Sequence, residues 1–475
     1  MGGTGGGVQL TDHTDYTEPV ESHMTFFGFL HGVHPPERKD LTARLPIRRM
    51  TFPPEVVLPV RQHAGRPAKV IVARGDRVER GDTLAVADGF ISSPVHASAS
   101  GRVTAIEQWP HPDGTTALAI RIAVDRHSAQ VPRPRIVPDW RGLTPAEIVQ
   151  AVQDAGIVGL GGAAFPTHVK LAPPKDAKVD VVLINGAECE PYLTTDHRSM
   201  VEFPERVHLG IRVMLKALGV GRAVIGVEKN KPDAIERLRA TAPPDLDVTV
   251  LPLTVKYPQG AEKMLIHAVL GREVPSGKLP ISVGAVVQNV GSAAMIGEVF
   301  DTGLPLVERI VTVTGHGLKR PANLIVPVGT KLSDLLAHCG GLTDDAAEIL
   351  FGGPMMGLPV ADLSTPILKG TTGVVVLTRS EVRAQVSYPC IHCGYCLDAC
   401  PIFLDPQHLG SLARAGHLQE MSAHHLADCM LCGSCSYVCP SNIPLSQLFA
   451  SSKVALRRTA TLAAATADKP RVTAA

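Results

Sequence analysis

Eight of the ten cysteines lie in two short runs near the C-terminus, and their spacing suits them to bind metal. In each run the gaps are two, two and three residues, and a proline follows the last cysteine; the runs are Cys390, Cys393, Cys396 and Cys400, then Cys429, Cys432, Cys435 and Cys439. Thiolates at this spacing hold pairs of 4Fe-4S clusters, and the fourth cysteine of each run binds the cluster of the other run. We therefore predict two clusters with exchanged fourth ligands: Cys390, Cys393, Cys396 and Cys439 for one, and Cys400, Cys429, Cys432 and Cys435 for the other.

Two other interpretations of these cysteines are weaker. Zinc would use its four cysteines as two separated pairs rather than as one run. Clusters that only brace the fold are the second alternative, but two clusters linked in this way lie near enough to exchange single electrons. Gly394 and Gly433 lie where the backbone must approach a cluster, and their amides are predicted to donate hydrogen bonds to its sulfurs.

A glycine-rich segment, Gly159–Lys170, lies near the middle of the chain. Glycines let backbone amides approach a phosphate, and a helix that begins beyond them adds its positive end. The segment matches neither the Walker motif nor the usual dinucleotide motif, so a tight structural turn is equally compatible with it.

A polar segment, Asn185–Pro191, follows a predicted strand. Asn and Glu side chains at the carboxyl end of a strand are placed to bind sugar hydroxyls or flavin edges, although a solvated acidic loop is the alternative. The clusters favour the binding interpretation for both segments, because a one-electron relay needs a source and a flavin converts hydride chemistry into single electrons.

Length and composition restrict the class of protein. The chain has 475 residues and a formal net charge of +1, which predicts several domains and no nucleic-acid partner. Residues 1–24 lack the basic start and apolar stretch of a secretory signal and are predicted to form a flexible arm. The longest uncharged stretch, residues 281–297, is interrupted by Gln288 and Asn289 and is shorter than the roughly 20 apolar residues that cross a bilayer. No membrane anchor is predicted.

Hydrophobic periodicity predicts three further folded regions. Apolar residues alternate with Gly-Asp turns between about residues 49 and 123, a pattern that resembles the β-barrel sandwich of biotinyl and lipoyl carrier domains. Carriers present a modified lysine on a hairpin, but the corresponding segment, Ala87–Ser93, contains no lysine, so we predict a docking or structural role. An α/β pattern follows from Asp139, and a helix with a glycine stop beside strands after Leu304 predicts a β-grasp module.

Together these motifs resemble the RnfC family, whose members are subunits of the Rnf-type membrane electron transport complex. The resemblance extends from His31 to Leu445 and depends on the order of its parts: His31–Pro36, the carrier-like barrel, Gly159–Lys170, Asn185–Pro191, Tyr257–Glu262, Gly352–Gly357 and the two cysteine runs. The central domain is similar to the flavin-bearing, NADH-oxidising subunit of respiratory complex I. The resemblance implies FMN as a cofactor, NADH as a substrate, and a peripheral position at the cytoplasmic face of the bacterial inner membrane beside ion-translocating partner subunits.

The resemblance also implies site residues. Those expected around FMN are Gly159, Gly161, Gly162, Lys170, Asn185 and Glu188, and those expected around NADH are Phe165, Glu190 and Glu262. The chain departs from the family pattern at three positions, where it has Leu160 for an arginine, Ala164 for a glycine and Ala187 for an aspartate.

The function implied by this resemblance is that of an NADH dehydrogenase-type subunit of an ion-translocating NADH:ferredoxin oxidoreductase, a translocase. It would exchange electrons between NADH, FMN and the two clusters toward partner subunits, and indirectly with ferredoxin or flavodoxin. One alternative is a non-enzymatic iron–sulfur relay and docking subunit that has lost nucleotide binding. Another is a soluble cobalamin-reductase-like protein, in which the carrier-like barrel would follow the cluster domain instead of preceding it.

The predicted architecture is multidomain, with both β and α/β parts. It consists of a flexible arm (1–30), a carrier-like β-barrel sandwich (31–135), an α/β flavin and NADH domain (136–303), a β-grasp module (304–380), a ferredoxin-like two-cluster helical domain (381–450) and a disordered tail (451–475).

Overall fold

The computed structural model describes residues 27–467 except 133, 135, 137–138 and 383–385, with side chains as far as residue 459. Most of the predicted arm and the end of the predicted tail lie outside the described residues. The chain is packed from residue 27 onward, because the Phe27 carbonyl accepts a hydrogen bond of 3.0 Å from the Thr254 amide and Phe29 is only 3% exposed. The prediction of a flexible arm is therefore wrong for residues 27–30.

Residues 27–50 form a segment with a turn at residues 40–45, and this segment contacts both the α/β domain and the β-grasp module. Val33 pairs with Tyr257 of the α/β domain in an antiparallel bridge. Strand β1 (Ile47–Arg49) adds in parallel to the sheet of the β-grasp module, next to residues 323–325. The first strand of the barrel starts only at Glu55, later than the predicted boundary at residue 31.

The barrel sandwich consists of two sheets, with strand orders β2-β8-β7-β4 and β3-β5-β6. Apolar side chains of both sheets, such as Leu58, Leu84 and Ile120, are fully buried between them. The strands are β2 (Glu55–Pro59), β3 (Lys69–Val70), β4 (Arg77–Val78), β5 (Thr83–Val86), β6 (Val95–His96), β7 (Gly101–Pro110) and β8 (Thr116–Val124).

The α/β domain contains a four-stranded parallel sheet in the order β11-β10-β9-β12. Its central strands are almost continuously apolar because helices cover both faces. The strands are β9 (Val181–Gly186), β10 (Ala223–Glu228), β11 (Val248–Leu253) and β12 (Ala285–Asn289). The helices are α1 (Pro145–Asp154), α2 (Thr167–Leu171), α3 (Thr195–Glu202), α4 (Pro204–Leu218), α5 (Pro232–Ala240), α6 (Glu262–Leu270) and α7 (Val290–Thr302).

The strand order reverses between β9 and β12, since β10 and β11 follow on one side of β9 and β12 lies on the other. Open α/β sheets bind ligands at such a switch point, beyond the carboxyl ends of the strands. Helix α7 starts at this edge and packs closely on α4. A Cβ at Gly210 would lie 1.8 Å from the Ala293 oxygen, and one at Gly297 would lie 2.0 Å from the Arg206 oxygen.

The β-grasp module is a mixed six-stranded sheet in the order β1-β14-β13-β17-β15-β16, with helix α8 packed on it. Its elements after β1 are β13 (Glu308–Thr314), β14 (Ala322–Pro327), α8 (Leu332–His338), β15 (Ala346–Phe351), β16 (Leu358–Pro359) and β17 (Gly373–Thr378).

The cluster domain is helical, and each cysteine run contains a short helix that begins just before its third cysteine and ends before its fourth. Its helices are α9 (Tyr395–Asp398), α10 (Pro406–Ala415), α11 (Leu418–Ala423), α12 (Ser434–Val438) and α13 (Leu445–Ala467). Helix α13 extends well beyond residue 451, and Phe449 near its start is 1% exposed in the core of this domain. The tail predicted to be disordered from residue 451 is therefore helical as far as residue 467.

We predict that Gly297→Ala destabilises the protein, because the new methyl group would push α4 and α7 apart. Overpacking of this kind costs about 1–3 kcal/mol. Gly221→Ala is the matched control, since a Cβ at Gly221 meets nothing within 4 Å. Thermal unfolding of the two full-length variants checks this, and equal melting temperatures would contradict the close packing.

Candidate functional site

Two asparagines mark the switch point of the parallel sheet. Asn185 lies near the end of β9 and Asn289 ends β12, and the two are paired in register. Asn289 Oδ1 caps α7 by accepting from the Gly291 amide at 2.9 Å, and its Nδ2 donates to Asp196 Oδ2 at 2.6 Å. Asn185 Nδ2 donates to the Gly260 oxygen at 2.7 Å. The sequence singled out Asn185 but gave Asn289 no role in the site.

The glycine segment folds into a loop directly beside Asn289. The loop is closed at its base by the Gly159 amide, which donates to the Phe165 oxygen at 2.7 Å. A Cβ at Gly161 would lie 3.2 Å from Asn289 Nδ2, whereas at Gly162, with φ +105°, a Cβ would meet nothing within 4 Å. Gly161 and Gly162 are both exposed, the backbone at Gly162 borders open space, and this cradle fits a phosphate group.

Three different parts of the fold hold this loop in place. The Leu160 amide donates to Ser292 Oγ of α7 at 2.9 Å, and the Leu160 oxygen accepts from the Arg309 guanidinium of β13 at 3.1 Å. On the barrel side, the Ala64 amide donates to the Ala164 oxygen at 3.1 Å. Arg309 is buried, and burial lowers its pKa to about 10.

The departures from the family pattern have structural consequences. Leu160 is 2% exposed and packs with Val158 and Leu306, so its side chain points into a small core. Ala164 adopts φ +49°, a left-handed conformation that costs an alanine roughly 1–2 kcal/mol and that glycine adopts freely.

Lys369, in the β-grasp module, contacts both the barrel and Gly156, which lies just before the glycine segment. Its Nζ is buried and donates to the Pro94 oxygen at 2.6 Å and to the Gly156 oxygen at 2.8 Å, while its amide donates to Gln62 Oε1 at 3.1 Å. Burial without a carboxylate partner among these contacts lowers the pKa of Lys369 to about 7.

The predicted lysine and aromatic residue lie at the end of the same loop. Lys170 Nζ donates to Glu262 Oε1 at 2.6 Å and to the Val287 oxygen of β12 at 3.1 Å. Phe165 is half-buried at the base of the loop. The structure thus brings Lys170 and Glu262 together as an ion pair near the switch point.

The polar segment Asn185–Pro191, called the acidic segment below, is held in place by hydrogen bonds to other parts of the protein. Glu188 accepts from the amides of Asp196 at 2.8 Å and of His197 at 3.3 Å, at the start of α3. Lys39 Nζ lies 3.9 Å from Glu188 Oε2 and donates to the carbonyl oxygens of Glu188 and Glu190 in the segment and of Leu193 just after it. Burial, followed by the nearby charge of Glu188, raises the pKa of Asp196 to about 7.

Glu190 points toward the β-grasp module. Its Oε1 accepts from the amides of Met355 at 2.7 Å and of Met356 at 3.1 Å, and burial raises its pKa. A Cβ at Gly353 would lie 2.2 Å from Glu190 Cγ, so this position requires glycine.

The eight cysteines line two cavities in the cluster domain. Cys390, Cys393, Cys396 and Cys439 line one, and Cys400, Cys429, Cys432 and Cys435 line the other. Four sulfurs around one cavity fit a 4Fe-4S cluster, and each cavity receives one cysteine from the other run. Within the described part of the chain, no group of three or more His, Cys, Asp or Glu side chains is arranged to hold a single metal ion.

Burial of the thiols opposes their ionisation. It raises the pKa of Cys396 to about 11 and raises those of Cys400 and Cys429 as well. A bound metal reverses this, because coordination deprotonates a thiol outright. Bound iron would therefore stabilise these cysteines in their thiolate form.

The two cavities differ in their surroundings. Tyr257 Oη of the α/β domain donates to the Cys432 oxygen at 2.7 Å, and a Cβ at Gly433 would lie 2.7 Å from the Met355 oxygen. The second cavity therefore lies against the α/β domain and the β-grasp module. At the first cavity, Cys393 is exposed, and Ile391 and Tyr395 are 66% and 58% exposed.

Comparisons with known proteins agree with this geometry. Four domain families match in order: the RnfC barrel sandwich hybrid domain (27–127), the Nuo51 FMN-binding domain (152–298), the SLBB domain (310–359) and the 4Fe-4S dicluster domain (387–443). An RnfC-type relative from Clostridium ljungdahlii, part of a proton-translocating ferredoxin:NAD(+) oxidoreductase complex, is 45% identical over 83% of this chain and 86% of its own length.

The chain belongs to the RnfC family. Two further members are similar along most of their length. The relative from the Na(+)-translocating ferredoxin:NAD(+) oxidoreductase complex of Acetobacterium woodii is 43% identical over 86% of this chain and 91% of its own length. The relative from the ion-translocating oxidoreductase complex of Rhodobacter capsulatus is 40% identical over 90% of this chain and 83% of its own length.

Membership of the RnfC family confirms several predictions. The chain is a subunit of a multisubunit ferredoxin:NAD+ oxidoreductase complex, with an FMN-binding domain and a dicluster domain that contains eight cysteines. The predicted four-part fold is confirmed. No helix among the described residues is long and apolar enough to cross a bilayer.

Sequence reasoning missed five residues that shape this RnfC site: Lys39, Asp196, Asn289, Arg309 and Lys369. Only Asn289 carried a recognisable signal, since it ends an apolar strand and precedes a helix start at which asparagine is a favoured cap. The partners of the others are far away in sequence, and nothing in the local pattern indicates burial.

We predict that cysteines lining the same cavity behave alike. Cys400→Ser should abolish the same EPR signal as Cys432→Ser, and Cys439→Ser the same signal as Cys390→Ser, because each pair would lose a ligand of one cluster. Cys339→Ser, a buried cysteine outside both runs, is the control and should keep both signals. If substitutions within the same cysteine run instead abolished the same signal, the exchanged arrangement would be contradicted.

We predict that Lys369→Met changes how stability depends on pH. The amine has a pKa of about 7 in the folded protein and about 10.4 when unfolded, so between these values the unfolded chain binds more protons. The contribution of this group to stability therefore rises with pH, by at most about 1.4 kcal/mol per pH unit.

Melting temperatures between pH 6 and pH 10 test this prediction. The difference between wild type and Lys369→Met should grow in favour of wild type as the pH rises, whereas the exposed control Lys319→Met should follow wild type. A constant difference would show that Lys369 keeps an ordinary pKa.

Proposed function

We propose that this RnfC subunit binds FMN and NADH at the switch point between β9 and β12 and passes electrons through the second cavity to the first. FMN, when bound, accepts a hydride from NADH and releases electrons one at a time. The observation that carries the proposal is the position of the open glycine cradle beside Asn289, at the edge where parallel sheets bind their ligands.

The glycine loop supplies the phosphate contacts in this proposal. The backbone of Gly161 and Gly162 would face the phosphate of FMN while Gly159 closes the base of the loop, and Lys170 would add a positive charge that Glu262 orients. Asn185 and Asn289 would lie at the flavin edge, where each Nδ2, which already donates one hydrogen bond within the protein, has a second hydrogen to donate. Their position at paired strand ends supports this role.

The acidic segment has an indirect role in the proposal. The carboxylates of Glu188 and Glu190 already accept backbone amides, so they shape the segment and present its backbone to FMN and NADH. Phe165 would form the base of the NADH side, and Glu262, at the start of α6, would lie near it through its ion pair with Lys170. The half-buried Asp196 lies between Asn289 and Glu188, where it can hold a proton close to the flavin site.

The cluster order follows from the surroundings of the two cavities. The Tyr257–Cys432 hydrogen bond and the Met355–Gly433 contact place the second cavity against the segments that border the flavin site. The exposed Cys393 gives the first cavity access to the surface. The cavity of Cys400, Cys429, Cys432 and Cys435 would therefore hold the cluster nearer the flavin site, and the other cavity would hold the cluster that exchanges electrons with a partner subunit.

The chain acts within a membrane complex in this proposal. Its relatives are named as subunits of proton-translocating and Na(+)-translocating ferredoxin:NAD(+) oxidoreductase complexes. We place this chain at the cytoplasmic face of the bacterial inner membrane as a peripheral subunit, with ferredoxin or flavodoxin as the indirect redox partner. Nucleic acid has no part in its function.

We predict that the anaerobically reconstituted full chain holds about eight irons and one FMN and reduces ferricyanide with NADH. Lys170→Met should weaken FMN binding about tenfold or more, because it removes a charge-assisted contact. Lys175→Met, an exposed lysine in the segment after α2, should bind FMN like wild type. Iron and flavin quantification and an FMN titration provide the measurements.

Two outcomes would contradict the proposal. Wild-type protein that carries both clusters but neither retains FMN nor oxidises NADH would be a relay and docking subunit instead. Equal FMN affinity in Lys170→Met and wild type would remove Lys170 from the site.

A further inference from the structure

The barrel hairpin Ala87–Ser93 is rigidly built, although it lacks the lysine that carriers present there. Ser92 Oγ accepts from the Asp88 amide at 2.9 Å and donates to the Arg66 oxygen at 2.9 Å. Gly89 turns the chain at φ +98°. The tip is therefore held in one conformation by hydrogen bonds within the barrel.

The hairpin lies against the segment that carries the glycine loop. His168 at the start of α2, three residues beyond Phe165, shares a hydrogen bond of 2.8 Å between its Nε2 and the Phe90 oxygen. Beside this contact the Ala64 amide binds the Ala164 oxygen, and a Cβ on Gly65 would lie 2.2 Å from the Ile91 oxygen. The hairpin tip and the neighbouring barrel residues 64 and 65 are thus both fixed beside the segment that carries the candidate nucleotide site.

An aromatic ring is left exposed at this junction. Phe90 is 59% exposed and its neighbour Ile91 is 43% exposed. The Phe90 ring meets the His168 ring only by its edge, at a centroid distance of 5.8 Å and an interplanar angle of 90°. A phenyl ring held by a fixed backbone, in a chain with 4% aromatic residues, is a suitable stacking surface for a flat ligand.

The position of the glycine loop indicates which of the two bases of NADH would stack on Phe90. The nicotinamide of NADH must approach the flavin at the switch point, on the Asn289 side of the glycine loop. Ala164, next to the base of the loop, and His168, three residues beyond Phe165, contact the barrel, whereas Gly161 lies beside Asn289. With the phosphate of FMN at Gly161 and Gly162, a dinucleotide that extends from the flavin past the base of the loop would have its other base beside the barrel.

We propose that Phe90 stacks on the adenine ring of NADH, so that the barrel completes the dinucleotide site of the α/β domain. The inference rests on the proposed function, since it requires NADH at the glycine loop. It assigns to the hairpin a role in substrate binding in place of the carrier's modified lysine. Phe90 then determines affinity for the dinucleotide and takes no part in hydride transfer.

The test compares Phe90→Ser with Phe90→Tyr in the full chain with FMN and clusters in place. Stacking of a base on an aromatic ring predicts about tenfold weaker NAD+ binding by calorimetry for Phe90→Ser and near wild-type binding for Phe90→Tyr. Leu279→Ser is the matched control, since Leu279 is 71% exposed and precedes the amino end of β12, at the opposite edge of the sheet.

A truncated substrate separates the two rings. Reduced nicotinamide mononucleotide lacks adenine, so Phe90→Ser should lower kcat/KM for NADH about tenfold and leave kcat/KM for the mononucleotide unchanged. Equal losses with both substrates would place the ring elsewhere and overturn the assignment to adenine. Unchanged NAD+ binding in Phe90→Ser, at wild-type FMN content, would overturn the inference and leave the proposed function intact. Wild-type protein that fails to bind FMN or NAD+ would instead refute the proposed function.

Discussion

The glycine loop is the constraint to which the other folded units are fitted. Glycines give the backbone access to a phosphate but lose more conformational entropy on ordering than other residues. Ser292 of the α/β domain, Arg309 of the β-grasp module and Ala64 of the barrel each hydrogen-bond to it. The three folded units are thus arranged around one short segment, and their contacts provide the order that the loop sequence does not.

Buried cations hold these units together through carbonyl oxygens. Lys369 joins the barrel to Gly156, which precedes the glycine loop, and Lys39 donates to three carbonyl oxygens in and just after the segment Asn185–Pro191. Burial lowers the pKa of both lysines, which reflects the cost of removing an ammonium group from water. These residues fix the positions of segments that are distant in sequence, and removal of either would leave carbonyl groups without a donor.

The N-terminal segment and the cluster domain are joined in a similar way. His31 Nδ1 lies 3.2 Å from the Cys400 oxygen, and Val33 pairs with Tyr257, whose hydroxyl donates to the Cys432 oxygen. The second cysteine cavity is therefore held against the α/β domain by both the start and the middle of the chain. The first cavity has a more exposed setting, so the two clusters, although matched in sequence, have different environments.

The amino-acid sequence was sufficient to predict the two cluster-binding runs, the order of the four folded units and the glycine loop, because each depends on the types and spacing of neighbouring residues. Which groups surround the loop became known only from the packing of the units. Asn289 and Asp196 are 93 residues apart, Lys39 and the Glu188 oxygen are 149 apart, and Lys369 and the Pro94 oxygen are 275 apart. Contacts of this kind arise when separate units pack, and burial and partners that come from packing leave no periodic pattern along the chain.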